Sequence, residues 1–151
     1  MNFDKYISPL SDEKLLQACA KIKHVALDMD GTIYLGSTLF PYTQAFLQAL
    51  SDNGISYSFL TNNPTKSSKD YLAKLQKLGI NATEEQMYTS SIATIDYLHM
   101  QYPKAKRIFT LGTPSMQAEF IKAGFEITSD SADDVPDVLV VAFDTTLEYS
   151  R

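Results

Sequence analysis

The chain of 151 residues sets 13 Lys and Arg against 18 Asp and Glu, a formal net charge of −5, with 44% hydrophobic residues. That apolar content with so small a net charge excludes disorder as the main state, and a chain of this length can bury a real core. No basic cluster is denser than Lys104–Arg107, which excludes a nucleic-acid footprint, and the apolar runs are too short to span a membrane.

The first residues, MNFDKYISPLSDEK, lack a basic stretch followed by an apolar core, so no secretory leader is expected. Cys19 is the single cysteine and has no internal disulfide partner, which agrees with a cytoplasmic location. Residues 11–22 read as an amphipathic helix. Ser11 is its candidate N-cap, Asp12 and Glu13 favour the first turn, and Leu15, Leu16, Cys19 and Ile22 share a face. The period then changes, and His24-Val25-Ala26-Leu27 forms an apolar strand ending in Asp28-Met29-Asp30-Gly31-Thr32.

A rhythm follows. Pro41 opens a helix carrying Phe46, Leu47 and Leu50, and Gly54 ends it. Ser56 to Leu60 is a strand that stops at Thr61-Asn62-Asn63-Pro64. Ser67, with Asp70 three residues on, caps a helix carrying Tyr71, Leu72, Leu75 and Leu78, and Gly79 follows. Ser91 to Tyr102 gives another helix, Arg107 to Leu111 a strand, and Thr113-Pro114 a helix that Gly124 closes. Asp137 to Phe143 is the most strand-like run. Strand, helix, glycine and strand in alternation predict an α/β fold whose parallel strands are covered on both faces.

In open α/β sheets, ligands bind at the carboxyl ends of the strands. Asp28 and Asp30 stand there two residues apart, on one face of a regular strand. Such a pair is costly unless a cation, a substrate or backbone amides stabilise it. Gly31 lets the backbone turn sharply and frees amides to face a ligand. Thr61 and Asn62 offer a hydroxyl, a carboxamide and N–H groups that suit a phosphate. Together they point to phosphoryl transfer: one carboxylate attacks phosphorus, and its neighbour protonates the leaving oxygen, then activates water. Mg2+ is the cation that such hard oxygen ligands favour.

At these residues a resemblance emerges. His24 to Tyr34, HVALDMDGTIY, resembles motif I of the haloacid dehalogenase (HAD) superfamily, an apolar strand followed by D-x-D-G-[TV]. Phe59 to Pro64, FLTNNP, resembles motif II in the Thr-Asn-Asn form of the NagD-like, class IIA sugar and nitrophenyl phosphatases. Tyr88-Thr89-Ser90, Leu111-Gly112, Lys122-Ala123-Gly124-Phe125 and the strand Val138 to Phe143 extend the likeness. The resemblance implies part of an HAD-like Rossmannoid parallel sheet over residues 1–103. Over residues 104–151 it implies the first part of an inserted α/β cap of C2 type. It also implies Asp28 as nucleophile and Asp30 as general acid/base, with Thr61, Asn62 and Asn63 binding phosphate. Asp28 and Asp30, the latter through its main-chain carbonyl, would be the Mg2+ ligands. The implied activity is Mg2+-dependent hydrolysis of a small phosphorylated metabolite through an aspartyl-phosphate.

Two elements of that family are missing from the sequence, the motif III Lys and the motif IV Gly-Asp-x-x-x-Asp. Asp133-Asp134 precedes a strand instead of following one, and Lys104, Lys106 and Lys122 lack a motif III context. Ile33 to Pro41 leaves room for a flap between motif I and the next helix but not for a domain, so a cap enters later. The chain is therefore expected to match the first half of a family member and to have little or no activity alone. Helix faces left exposed would favour a homo-oligomer. The competing reading is a non-catalytic module that binds a phosphate ligand or a partner chain. A phosphoacceptor receiver domain fits the two motifs poorly.

Taken as local structure only, Asp28 and Asp30 make a solvated turn, and Thr61-Asn62-Asn63 an Asx turn closed by Pro64. His24 and His99 are expected to be structural, and Cys19 to be buried on its helix face. Thr110-Leu111-Gly112-Thr113 lacks the Lys and the spacing of a Walker loop.

Overall fold

A computed structural model describes residues 12–145 and Leu147. Ser11 and the side chains of Leu15 and Leu16 lie outside the described residues. The chain runs α1 (Asp12–Cys19), β1 (His24–Asp28), a hairpin of β2 (Tyr34–Leu35) and β3 (Thr38–Leu39), then α2 (Thr43–Asp52) and β4 (Ser56–Thr61). After α3 (Ser68–Lys77) come β5 (Met87–Thr89), α4 (Ser90–Gln101), β6 (Arg107–Leu111), α5 (Pro114–Lys122), β7 (Glu126–Ile127) and β8 (Val138–Val141).

The expected α/β alternation is present, divided between two three-stranded parallel sheets of order β1-β4-β5 and β7-β6-β8. In the first sheet Asp28 pairs in register with Leu60, and Thr61 with Thr89, so three strands end side by side. Its core gathers Leu27, Met29, Tyr34, Phe59, Leu75 and Met87. Each fully buried aliphatic or aromatic side chain of this kind contributes about 1.5–3 kcal/mol. The second core unites Ile108, Phe120, Phe125, Val140 and Met116 with Ile95 and Leu98 of α4.

The helix starts follow the chemistry of their first residues. Ser67 accepts from Asp70 N–H while Asp70 accepts from Ser67 N–H, the reciprocal capping box expected from the sequence. Thr89 caps α4 through the Ile92 N–H, and Thr113 caps α5 through Met116 N–H with Pro114 in the first turn. At Gly112, just after β6, a Cβ would meet Met116 Sδ at 2.5 Å, so a larger residue there would require the Met116 side chain to shift.

Three expectations need correction. The first helix ends at Cys19, not Ile22, and Ile22 is exposed. Cys19 is itself exposed, not buried on its helix face. The last strand is shorter than expected, and Phe143 lies beyond it in solvent.

The two halves meet where α5 lies against the start of α3. Thr113 Oγ1 donates to the Thr65 carbonyl at 3.1 Å, Ser67 N–H to Ser115 Oγ at 3.2 Å, and Ser68 N–H to Glu119 Oε1 at 2.6 Å. No described helix is long and apolar enough to cross a membrane.

Candidate functional site

Asp28 closes β1, Met29 turns wholly inward, and Asp30 returns to the solvent face, so both carboxylates stand outside a buried pivot. The loop after them is tightly held. Gly31 N–H donates to Tyr34 O at 2.7 Å, and Ile33 N–H to Met29 O at 3.0 Å. Buried Thr43 donates to Ile33 O at 2.6 Å, and Tyr42 hydroxyl to Thr32 O at 2.9 Å. Gly31 sits at φ +85°, a conformation side chains rarely adopt. Thr32 Oγ1 donates to Asp28 Oδ2 at 3.0 Å and orients the carboxylate.

Asp28, Thr61 and Asn62 line one open cleft of about 390 Å³, completed by Leu60, Tyr88, Thr89, Ser90 and Ala93. Three of the sequence-expected residues are thus brought together at the carboxyl ends of adjacent strands. Asp30 and Asn63 stand outside that lining. Asn63 Oδ1 accepts from Thr65 N–H at 3.1 Å and from Thr65 Oγ1 at 2.8 Å, and its own N–H donates to Thr61 Oγ1 at 3.2 Å. Its side chain therefore makes an Asx turn, and Tyr71 hydroxyl fixes its carbonyl at 3.1 Å.

The neighbours of Asp30 are not among the residues expected from the motifs. Lys74 Nζ stands 3.8 Å from the centroid of the buried Tyr34 ring. Burial, then the charges of Asp30, Tyr71 and Asp28, push the Tyr34 hydroxyl up to about 12. Burial also holds the Lys74 ammonium below its ordinary range, against the pull of Asp30. The available signal was the spacing of Tyr71 and Lys74, three residues apart on one face of α3.

Other polar residues lie elsewhere. His24 hydrogen-bonds Ser56 Oγ at 2.8 Å and Ser58 Oγ at 2.9 Å, and His99 stacks on Phe125, so both are structural. Asp134 binds Arg107 and Ser129, away from the cleft.

The motif I carboxylates supply the hard oxygen donors that Mg2+ takes, and Mg2+ keeps several of its waters. Those donors fit the ion in kind. Among the described residues, no group of three His, Cys, Asp or Glu gathers to complete a cage.

The profile of the haloacid dehalogenase-like hydrolases matches residues 25–126. An acid sugar phosphatase of Staphylococcus aureus is 31% identical over 129 residues, 85% of this chain and 48% of that protein. A 4-nitrophenylphosphatase structure from Thermotoga maritima aligns with a TM-score of 0.78 at 34% identity, over 87% of this chain and 48% of that one. A glycerol phosphate phosphatase of Mycobacterium tuberculosis, solved with magnesium, aligns with a TM-score of 0.74 at 27% identity, over 86% of this chain and 39% of that one. The chain spans about half the length of the curated relatives it matches. With the strand-end Asp28-x-Asp30-Gly31-Thr32 and Thr61-Asn62-Asn63 placed as described, the chain belongs to the haloacid dehalogenase-like hydrolase family.

Proposed function

We propose that this chain carries the nucleophile and phosphate-gripping half of a phosphomonoester hydrolase for a small phosphorylated metabolite. The observation that carries the reading is the shared cleft of Asp28, Thr61 and Asn62 at neighbouring strand ends. Asp28 attacks phosphorus and forms an aspartyl-phosphate as the ester oxygen leaves. Asp30 protonates that oxygen and then takes a proton from the water that releases phosphate. Thr61 Oγ1 and the Asn62 N–H grip the phosphoryl oxygens, and Asn63 shapes the turn that presents them. Asp28 and Asp30 would hold Mg2+, which when bound screens the repulsion between carboxylate and phosphate. A relative solved with magnesium supports that choice. Residues 104–151 we assign to the first part of a cap, to which α4 lends Ile95 and Leu98.

Beryllofluoride, a mimic of an acyl phosphate, tests the nucleophile without turnover. The chain with Mg2+ and beryllofluoride gives a bound 19F resonance that Asp28→Asn abolishes. A resonance persisting in Asp28→Asn, or none in the parent chain, overturns the assignment.

One feature favours a second reading, a module that binds a partner chain. On the edge strand β8, Leu139 and Val141 are 66% and 72% exposed, and Phe143 beyond it is 67% exposed. Light scattering separates the cases: an oligomer that Val141→Lys dissolves supports this face as an interface, and a monomer at all concentrations excludes self-association.

A further inference from the structure

A crevice of about 450 Å³ lies where the start of α3 meets α4 and α5, and it shares no lining residue with the cleft of Asp28. Two helix faces make its walls apolar. Ile92 and Ile95, three residues apart, come from α4, and Ala118 and Ala123 come from α5. The alanine methyls fill little of the space between the helices. Ile95 is buried in the second core, but Ile92 is only half-buried and Ala118 is exposed, so this wall still meets solvent. Covering such a surface is favourable. Clefts of roughly 300–1,000 Å³ between packed units, apolar with a few polar groups, are where small molecules bind.

The rim selects the charge of the occupant. Glu84, Glu119, Lys69 and Lys122 stand on it, and they are unequally engaged. Glu119 Oε1 accepts from Ser68 N–H at 2.6 Å and from the Ser68 hydroxyl, and Oε2 accepts from Thr89 Oγ1 at 3.4 Å. Glu84 Oε2 pairs with Lys122 Nζ at 3.3 Å. Lys69 makes no ion pair among the described residues. The Lys122–Glu84 pair is 78% and 72% exposed, hence weak, and leaves Lys122 able to turn to a second anion. The unspent charge at this rim is therefore positive.

The donors present also select the kind of anion. Ser67 N–H is already taken by Asp70 and Ser115, and Ser68 N–H by Glu119. A phosphate held by two ammonium groups alone would leave oxygens without a donor beside apolar walls. The two oxygens of a carboxylate ask for no more than Lys69 and Lys122. At about 30 Å³ per water the crevice equals about fifteen waters, room for an acid such as hexanoate with part of that water retained.

We propose that this crevice is a binding site for a small apolar carboxylic acid, its hydrocarbon against Ile92 and Ala118 and its carboxylate between Lys69 and Lys122. Titrating the 15N-labelled chain at neutral pH with hexanoate, hexanamide and hexylamine, while following backbone amides, tests it. Hexanoate should move the Ile92, Ala118 and Ala123 amides saturably. It should bind about threefold tighter than hexanamide, the worth of an exposed ion pair, and hexylamine should bind most weakly. The double variant Lys69→Met with Lys122→Met keeps the apolar stems and should bring the hexanoate and hexanamide constants together. Ala118→Leu narrows the crevice and should weaken both ligands several-fold. Leucine suits an exposed helix position, and circular dichroism verifies the folding of each variant. Amides of the crevice that ignore hexanoate overturn the site. So does equal affinity for hexanoate and hexanamide in the parent chain, a preference that survives loss of both lysines, or affinities unchanged by Ala118→Leu.

Discussion

Ser68 N–H donates to Glu119 Oε1 at 2.6 Å, so a carboxylate from α5 closes the N-terminus of α3 across the two halves of the chain. Glu119 also accepts from the Ser68 hydroxyl and, at 3.4 Å, from Thr89 Oγ1. A negative charge at a helix N-terminus with its hydrogen bonds contributes about 1–2 kcal/mol. Glu119→Ala should lower the unfolding free energy by about that amount, and Glu119→Gln by less. Urea melts of the three proteins check both values. Equal stability of parent and Glu119→Ala would show that water replaces the carboxylate at no cost.

Asp70 gives this junction an acid dependence. Hydrogen bonds from Ser115 and Ser67 hold its carboxyl below the usual carboxylate range. A depressed folded value contributes stability that is present above the unfolded-state pKa and lost as pH falls through the folded one. Ser115→Ala removes the largest of these bonds and should raise the pH midpoint of acid unfolding. Far-ultraviolet circular dichroism followed into acid measures the midpoint.

Tyr34 sets the opposite limb. Its hydroxyl, raised to about 12 in the fold, ionises near 10 in the unfolded chain. A raised folded value gives stability that is complete below the unfolded pKa and disappears as pH rises through about 12. Tyr34→Phe keeps the ring beneath Lys74 and should flatten this alkaline loss. Denaturant midpoints between pH 9 and 12 decide it.

Catalysis by these 151 residues alone should be slight. The described carboxylates provide no three-residue metal cage, and no lysine lines the cleft to steady a phosphorylated intermediate. Removing one such electrostatic stabiliser costs roughly 10²-fold or more in rate. The purified chain with Mg2+ should hydrolyse p-nitrophenyl phosphate barely above the blank. Robust turnover lost in Asp28→Asn would show that the cleft needs no further groups.

The parts of this site legible in the sequence are those written in short stretches. Asp28 and Asp30 follow an apolar run that can only end at a sheet edge, and Ser67 with Asp70 spells its own helix start. The division into two sheets, by contrast, depends on pairings that the rhythm of strands does not carry. The closure of α3 by α5 joins residues 48 and 51 positions apart, a distance no local pattern encodes. Lys74 shares a face of α3 with Tyr71, yet only the fold brings the Tyr34 ring beneath its ammonium. Asn63 belongs to the motif, and its Oδ1 accepts from Thr65, a turn contact that the motif pattern does not spell out. In the sequence Ile22 continues the apolar face of the N-terminal helix, but the chain turns toward β1 after Cys19, so the apolar spacing overstates the helix.

The methionines turn the two cores into separate clocks. Met29 and Met87 lie in the first and Met116 in the second, all at 3% exposure or less, whereas Met100 is 72% exposed. Thioether oxidation requires access to sulfur, and the product is a polar sulfoxide. Peroxide should therefore mark Met100 at once and reach the others only as each core opens. Unequal rates at Met87 and Met116 would reveal that one half breathes while the other stays shut, read from a single peptide map.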